Sequence, residues 1–312
     1  MINILYIFDK NYKKMALTSI ISLLDNIDER IKIHLIHDFN LDEKFIPAKI
    51  KDHMNLENIN FIKFKDDFSI FPNTKKSHVS RATYYRLFLE DYLKDELDEI
   101  VYLDSDTVII KNPLPYFKNI FHEMKITGNA IACFPHFSVP THDTRNISIG
   151  INSGLYFNAG VMLINLKKWN MLNIKQKSQE IIYEKKEKLM LWDQDVLNII
   201  FDGKFYFLDS AYNHSIDLLS FDYLQIELIK KEVFIIHFFG KVKPWTISGI
   251  KFDATEYYQK EFRKLFSNKY HIVKNKQLGT FKPFLDVIYN KKIQNLNFPK
   301  SFLYESFLSL FR

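Results

Sequence analysis

The segment Ile100-Val101-Tyr102-Leu103-Asp104-Ser105-Asp106 constrains this chain more than any other. An apolar block without polar alternation describes a strand covered on both faces. Such strands belong to α/β sheets, in which helices cover both sides. The block ends on two carboxylates at i and i+2. Extended backbone repeats its side-chain direction every second residue, so both acids can face the same way. A pair of hard oxygen ligands aimed into a crevice suits a divalent cation and, through it, a diphosphate. The same triplet is also an ordinary way for a strand to end in solvated acids, so its meaning depends on its company. Thr107-Val108-Ile109-Ile110 reads as the strand continuing beyond it.

The rest of the chain alternates in kind. Ile2 to Phe8 predicts a first strand, followed by the polar turn Asp9-Lys10-Asn11-Tyr12 and a helix through Met15–Leu24. Ile31 to His37 and Ile59 to Phe64 predict two more strands. Ser80 to Leu93 predicts a helix with Tyr84, Leu87 and Phe88 on one stripe. Tyr156 to Leu166 and Val233 to Phe239 read as core strands, and Trp192 to Phe201 as a helix. This order predicts an α/β domain over residues 1–250 with a mainly parallel central sheet. Ligands gather beyond the carboxyl ends of such sheets, which puts Asp9 and Asp104 in one crevice.

Residues 251–312 read as a C-terminal helical extension with a different charge. From Lys260 to Arg312 there are 11 Lys/Arg against 3 Asp/Glu, whereas the other residues hold 32 and 34. The basic character therefore belongs to the tail, where aromatic residues accompany it. That combination fits an anionic lipid surface, although a packed terminal helix with solvated lysines explains it equally well. A nucleic-acid binder would account for the tail but not for acid pairs in a near-neutral body, so no nucleic acid is expected. A lone cysteine, Cys133, excludes an intrachain disulfide, fits a reducing compartment and reads as inert core. The first apolar run is too short for a secretory signal, and no stretch nears the ~20 apolar residues of a spanning helix. A cytoplasmic protein, soluble or peripheral on the membrane's inner face, is expected.

Three more segments carry polar groups of chemical interest. His237 through Trp245 supplies an imidazole, a glycine (Gly240) and a cation (Lys243). With two carboxylates, an imidazole makes a mixed N/O set suited to Mn²⁺ and acceptable for Mg²⁺. Gly240 allows backbone to approach a phosphate, and Lys243 can neutralise a diphosphate. Alone, a histidine ending a core strand is more often structural. Asp193-Gln194-Asp195 either caps a helix or contacts sugar hydroxyls. Asn158-Ala159-Gly160 is either a turn or a polar contact whose small neighbours admit a sugar.

In this order the segments resemble glycosyltransferase family 8, retaining enzymes of the GT-A fold that include bacterial lipopolysaccharide galactosyl- and glucosyltransferases. The motifs are Asp9 to Tyr12, His78 to Leu87, Val101 to Asp106, Tyr156 to Val161, Asp193 to Asp195 and His237 to Trp245. The resemblance implies a UDP-sugar donor and a saccharide acceptor, with lipid-linked lipopolysaccharide core the expected acceptor. It implies that Asp104, Asp106 and His237 bind the metal, and that Asp9, Asn11 and Tyr12 contact uridine. Arg86, Ser105, Gly240 and Lys243 then hold the donor, and Asn158, Ala159, Asp193 and Gln194 surround the transferred sugar. Asp193 and Gln194 stand nearest the reacting carbon. One departure is Pro135-His136, where the family usually has an acid; either His136 or His142 substitutes, or the sugar or acceptor contact differs.

Retention through a covalent intermediate needs a nucleophile at the anomeric carbon. The matching side chain is the neutral amide of Gln194, so same-face attack by the acceptor on a short-lived ion pair is the expected route. A sugar nucleotidyltransferase is the main rival, but it would present a glycine-rich phosphate loop that Asp9-Lys10-Asn11-Tyr12 does not supply.

Overall fold

Ten short strands hold most of the apolar blocks. In the computed structural model, residues 1–41, 45–65, 81–93, 97–135, 144–220, 223–273, 281–290 and 292–311 are described. The strands are β1 (Asn3–Ile7), β2 (Ile31–His37), β3 (Leu56–Lys63), β4 (Glu99–Leu103), β5 (Thr107–Ile109), β6 (Ile131–Pro135), β7 (Phe157–Asn165), β8 (Tyr206–Phe207), β9 (His214–Ile216) and β10 (Ile235–Phe238). Seven form a central sheet in the order β3-β2-β1-β4-β7-β6-β8. Every neighbouring pair is parallel except the two that β7 makes, with β4 and with β6. The sheet is mainly parallel, as expected, with one reversed strand inside it. All nine residues of β7 are buried, which is why its sequence is apolar on both faces.

The acidic triplet does not interrupt one strand. Leu103 ends β4 in the large sheet, and Thr107 begins β5 in a second sheet of order β5-β10-β9. A tight turn joins them, with Thr107 N–H and Oγ1–H both donating to Asp104 O at 3.2 and 2.8 Å. The reading of Thr107–Ile110 as a continuation is thus corrected, since a short apolar run cannot reveal which sheet its residues join. Arg81–Phe88 is a 3₁₀ helix and Leu89–Tyr92 one α turn, where a single α-helix was expected.

Two large cores flank the sheet. One packs the helix Lys13–Asn26 against β1 and β2, and the other packs the Arg81–Phe88 turns and the helix Trp192–Phe201 against β4 and β7. A third joins β10 to Trp245, Tyr258 and Phe262, so the helix Thr255–Leu265 is packed onto the body. Lys264 of that helix pairs with Asp25 at 2.6 Å. Further on, Tyr270, Val287 and Phe302 bury themselves against Ile247 and Ile250. Phe281, Tyr289, Tyr304 and Phe307 remain exposed. Cys133 is fully buried, and burial pushes its thiol well above the ordinary value. No helix among the described residues is long and apolar enough to cross a membrane.

Candidate active site

The triplet becomes a site because β5 runs antiparallel to β10. That register sets His237 opposite Thr107, one residue from Asp106. Phe238 N–H donates to Asp106 O at 3.0 Å and locks the corner. One ligand atom from each of Asp104, Asp106 and His237 lies within 4.8 Å of the others. His237 Nε2 is 3.3 Å from Asp106 Oδ1 and 3.8 Å from Asp104 Oδ2. Lys243 Nζ donates to Asp106 Oδ2 at 2.7 Å and to Phe238 O at 2.6 Å. Burial alone would raise the Asp106 carboxyl, but Lys243 and His237 outweigh it and hold this acid well below the usual carboxylate range.

The donor set fits a divalent cation. Asp106 Oδ1 is buried and makes no hydrogen bond among the described residues, despite the nearby imidazole. Leaving a buried carboxylate oxygen unpaired is costly, and a cation between two carboxylates and an imidazole removes that cost.

A cavity of about 140 Å³ opens beside this corner. It is lined by Asp9, Tyr12, Arg86, Asp104, Ser105, Asp106 and Lys243, together with Ile7, Phe8, Ala82, Thr83 and Tyr102. The parallel pairing of β1 with β4 is what sets Asp9 beside Asp104. Asp9 Oδ1 accepts from Asn11 N–H at 2.8 Å and Tyr12 N–H at 3.1 Å, closing the turn into the helix Lys13–Asn26. Tyr12 meets Trp245 edge to face at 5.9 Å between centroids. Ser105 Oγ is buried with no hydrogen bond among the described residues. A larger cavity of about 550 Å³ lies at the other end of the sheet beside Lys168, Lys177 and Lys204, and holds none of the expected residues.

Arg86 ties the acids together. Its guanidinium donates through Nη2 to Asp104 Oδ1 at 3.1 Å and through Nη1 to Ala159 O at 2.6 Å. Nε lies 2.8 Å from Asp193 Oδ2, and the guanidinium carbon sits 4.1 Å above the Tyr102 ring. Tyr102 also donates its hydroxyl to Asp104 Oδ1. Burial, with Asp104 adding repulsion, raises the Asp193 carboxyl to about 6 against the pull of Arg86.

Asp193 and Gln194 lie in the first turn of the helix Trp192–Phe201, whose first residue has a φ of +50°, unusual for a bulky residue. Gln194 Oε1 accepts from Ala159 N–H at 3.0 Å, and its Nε2 donates to Tyr156 Oη at 3.3 Å. Asp195 turns away from the site. It accepts from Tyr156, Arg145 and the amides of Met190 and Leu191 at 2.5 to 2.8 Å, and anchors the helix start.

Asn158 and Ala159 sit on β7, backing the cavity without lining it. Asn158 Oδ1 accepts from Gly160 N–H at 2.8 Å and from Asn213 Nδ2 at 3.0 Å. Gly240 adopts φ +85°, a region that favours glycine, and lies over Asp217 outside the cavity lining. Pro135 ends β6 opposite Phe157. His78 to Ser80, His136 and His142 lie outside the described residues. Sequence reasoning missed Asn213 and Tyr102. Tyr102 was recoverable, since it shares a strand face with Asp104; Asn213, in an irregular turn, offers no periodic signal.

The acid pair at the carboxyl edge of the seven-stranded sheet thus meets an imidazole carried by β10 of the second sheet. Residues 3–248 match the model of glycosyl transferase family 8, and the chain belongs to that family. It is 30% identical over 253 residues to the lipopolysaccharide 1,3-galactosyltransferase of Salmonella typhimurium, covering 78% of this chain and 72% of that one. It is 29% identical over 267 residues to a lipopolysaccharide 1,2-glucosyltransferase of Escherichia coli, covering 83% and 76%. Among solved structures it resembles the galactosyltransferase LgtC in complex with donor and acceptor sugar analogs. That match has a TM-score of 0.71 at 26% identity and covers 85% of this chain and 96% of the other.

Proposed function

We propose that this protein is a retaining hexosyltransferase that moves galactose or glucose from a UDP-sugar to a saccharide acceptor of the lipopolysaccharide-core class. The observation that carries this reading is the convergence of Asp104, Asp106 and His237 beside Lys243 and a cavity rimmed by Asp9 and Tyr12. Mn²⁺ is the proposed ion, with Mg²⁺ acceptable to the same ligands. A divalent cation held there supplies Lewis-acid charge for the departing diphosphate.

The side chains have separable tasks. Lys243 presents a fixed positive charge where the diphosphate leaves, an instance of preorganised stabilisation. Ser105 Oγ and the Asp9 turn offer polar contacts to the nucleotide. Asp193, fixed by Arg86, holds sugar hydroxyls. Gln194 is ill suited to nucleophilic attack, because an amide oxygen is weakly nucleophilic and this one already accepts from Ala159 N–H. That supports attack by the acceptor hydroxyl on the face the diphosphate leaves, with a phosphate oxygen taking the proton.

The exposed aromatics and lysines of residues 281–311 support a peripheral membrane contact at the cytoplasmic face, which would bring the site to a lipid-linked acceptor. Incubation with a panel of UDP-sugars and Mn²⁺ tests the central claim. UDP release from UDP-galactose or UDP-glucose, abolished by EDTA and restored by Mn²⁺, is expected. No release from any UDP-hexose at saturating Mn²⁺ would overturn it, and a β-linked product from an α-linked donor would overturn retention.

A further inference from the structure

The hydrogen bonds behind His237 admit one consistent assignment. They start at Gly160 N–H, a backbone group that can only donate. The Asn158 side-chain atom 2.8 Å away must therefore be its carbonyl oxygen. That oxygen also lies 3.0 Å from the Asn213 side chain, so the Asn213 atom facing it must be the NH₂ end. Asn213 then turns its own oxygen toward His237 Nδ1 at 3.0 Å. Two acceptors do not face each other at that distance, so Nδ1 carries the proton. A neutral His237 consequently presents a bare Nε2 lone pair toward Asp106 Oδ1 and Asp104 Oδ2.

We propose that Asn213 is the positioning residue that holds His237 in the Nδ1–H tautomer, the neutral form able to ligate a cation through Nε2. The proposal rests on the metal reading above and adds the device that prepares the ligand. Asn213 is fully buried, as is Gly160's strand, and His237 is 4% exposed, so solvent does not compete for these bonds. The Asn213 backbone is pinned by its N–H to Ser210 O at 3.2 Å. Gly160 serves the arrangement twice over, since its carbonyl also accepts from Asp104 N–H at 2.8 Å. One residue of β7 therefore sets both a carboxylate ligand and, through two amides, the imidazole. Metal-bound histidines in general depend on such an outer partner, and its loss costs about 10- to 100-fold in metal affinity.

Two measurements on the full chain test this. Long-range ¹H–¹⁵N correlation of the metal-free protein reads directly which His237 ring nitrogens carry a proton; a proton on Nδ1 is expected. Mn²⁺ titration, followed by the resonance signal of the free ion, then compares wild type with Asn213→Leu and Asn213→Asp. Asn213→Leu is expected to bind Mn²⁺ about 10- to 100-fold more weakly. Asn213→Asp keeps an acceptor opposite Nδ1 and is expected to lie between Asn213→Leu and wild type. An Nδ1 without a proton in the wild type, or unchanged affinity in a folded Asn213→Leu, overturns the proposal. Should Asn213→Leu fail to fold, the tautomer of the wild type decides alone. A wild type that binds no Mn²⁺ refutes the metal reading instead, and the tautomer still judges Asn213.

Discussion

A Cβ placed on Gly160 would stand 2.1 Å from Cε1 of His237. β7 is paired on both sides, to β4 and β6, so residue 160 cannot move aside without breaking the sheet. The room that glycine leaves is filled by the imidazole. Gly160→Ala is expected to displace His237, weaken Mn²⁺ binding about tenfold or more and destabilise the fold by about 1–3 kcal/mol. Metal titration and urea unfolding of the same preparation check both halves.

Asp104→Asn removes one charged ligand and leaves Arg86 and Tyr102 a neutral amide oxygen in place of the carboxylate they share. Cation-assisted departure is worth several kcal/mol, and each 1.4 kcal/mol is tenfold in rate. Sugar transfer should therefore fall about 100-fold or more, measured as UDP release at saturating donor. Full activity at ordinary Mn²⁺ concentration would remove Asp104 from the ligand set.

Arg86 faces a buried Asp193 and a partly exposed Asp104, with side-chain exposures of 5% and 27%. Arg86→Met leaves Asp193 buried without its cation, a loss of about 3–5 kcal/mol in unfolding free energy. Arg86→Lys keeps the charge but cannot reproduce a fork that reaches Asp104, Ala159 O and Asp193 together, so it should recover little activity. Urea denaturation and donor kinetics on the two variants separate charge from geometry.

Asp193 gives a pH signature. Its folded value, about 6, lies above the ordinary one, so the folded state holds this proton more tightly. The contribution to stability is accordingly full below about pH 4 and is lost as pH rises through 6. The ionised, Arg86-paired form proposed to hold the sugar forms over the same rise. Wild-type kcat/KM for the donor should fall as pH drops through about 6, and Asp193→Asn should be slow but flat across that limb. An equally steep limb in Asp193→Asn would assign it elsewhere.

The tail contains two parts with different fates. Cutting near Trp245 removes Tyr258 and Phe262 from a core that includes β10, so such a chain should not fold. Replacing exposed Tyr304 and Phe307 with serine leaves Phe302 buried and the fold intact. If this face meets lipid, the double variant should float less with anionic liposomes while retaining transfer to a soluble acceptor. Undiminished flotation would place the contact elsewhere.

Much of this was legible from residue order, for a physical reason in each case. Strand periodicity and burial exposed β1, β2, β4 and β7, and the strand-end rule brought Asp9 and Asp104 to one cavity. His237 was found by chemistry, since an imidazole near a glycine and a lysine completes an N/O ligand set. What periodicity could not carry was sheet membership, which is why β5 read as an extension of β4. Asn213 was invisible because its importance lies in two hydrogen bonds made from an irregular turn. Asp195, adjacent to Asp193 and Gln194 in sequence, looks equivalent to them, but one step along the helix start aims it at Tyr156 and Arg145.

The joint between the two sheets also bears on how the chain reaches its final form. Lys243 and Asp106 meet across 137 positions of sequence, and His237 closes a loop nearly as long. Contacts of that span are entropically late to form. During synthesis both aspartates emerge well before the imidazole that faces them. The carboxylate pair is therefore exposed as bare charge in a nascent chain, and meets the imidazole only when β10 docks. On the proposed reading of Asp104, Asp106 and His237 as a ligand set, cation binding would report completed folding, because the three are brought together only when β10 docks.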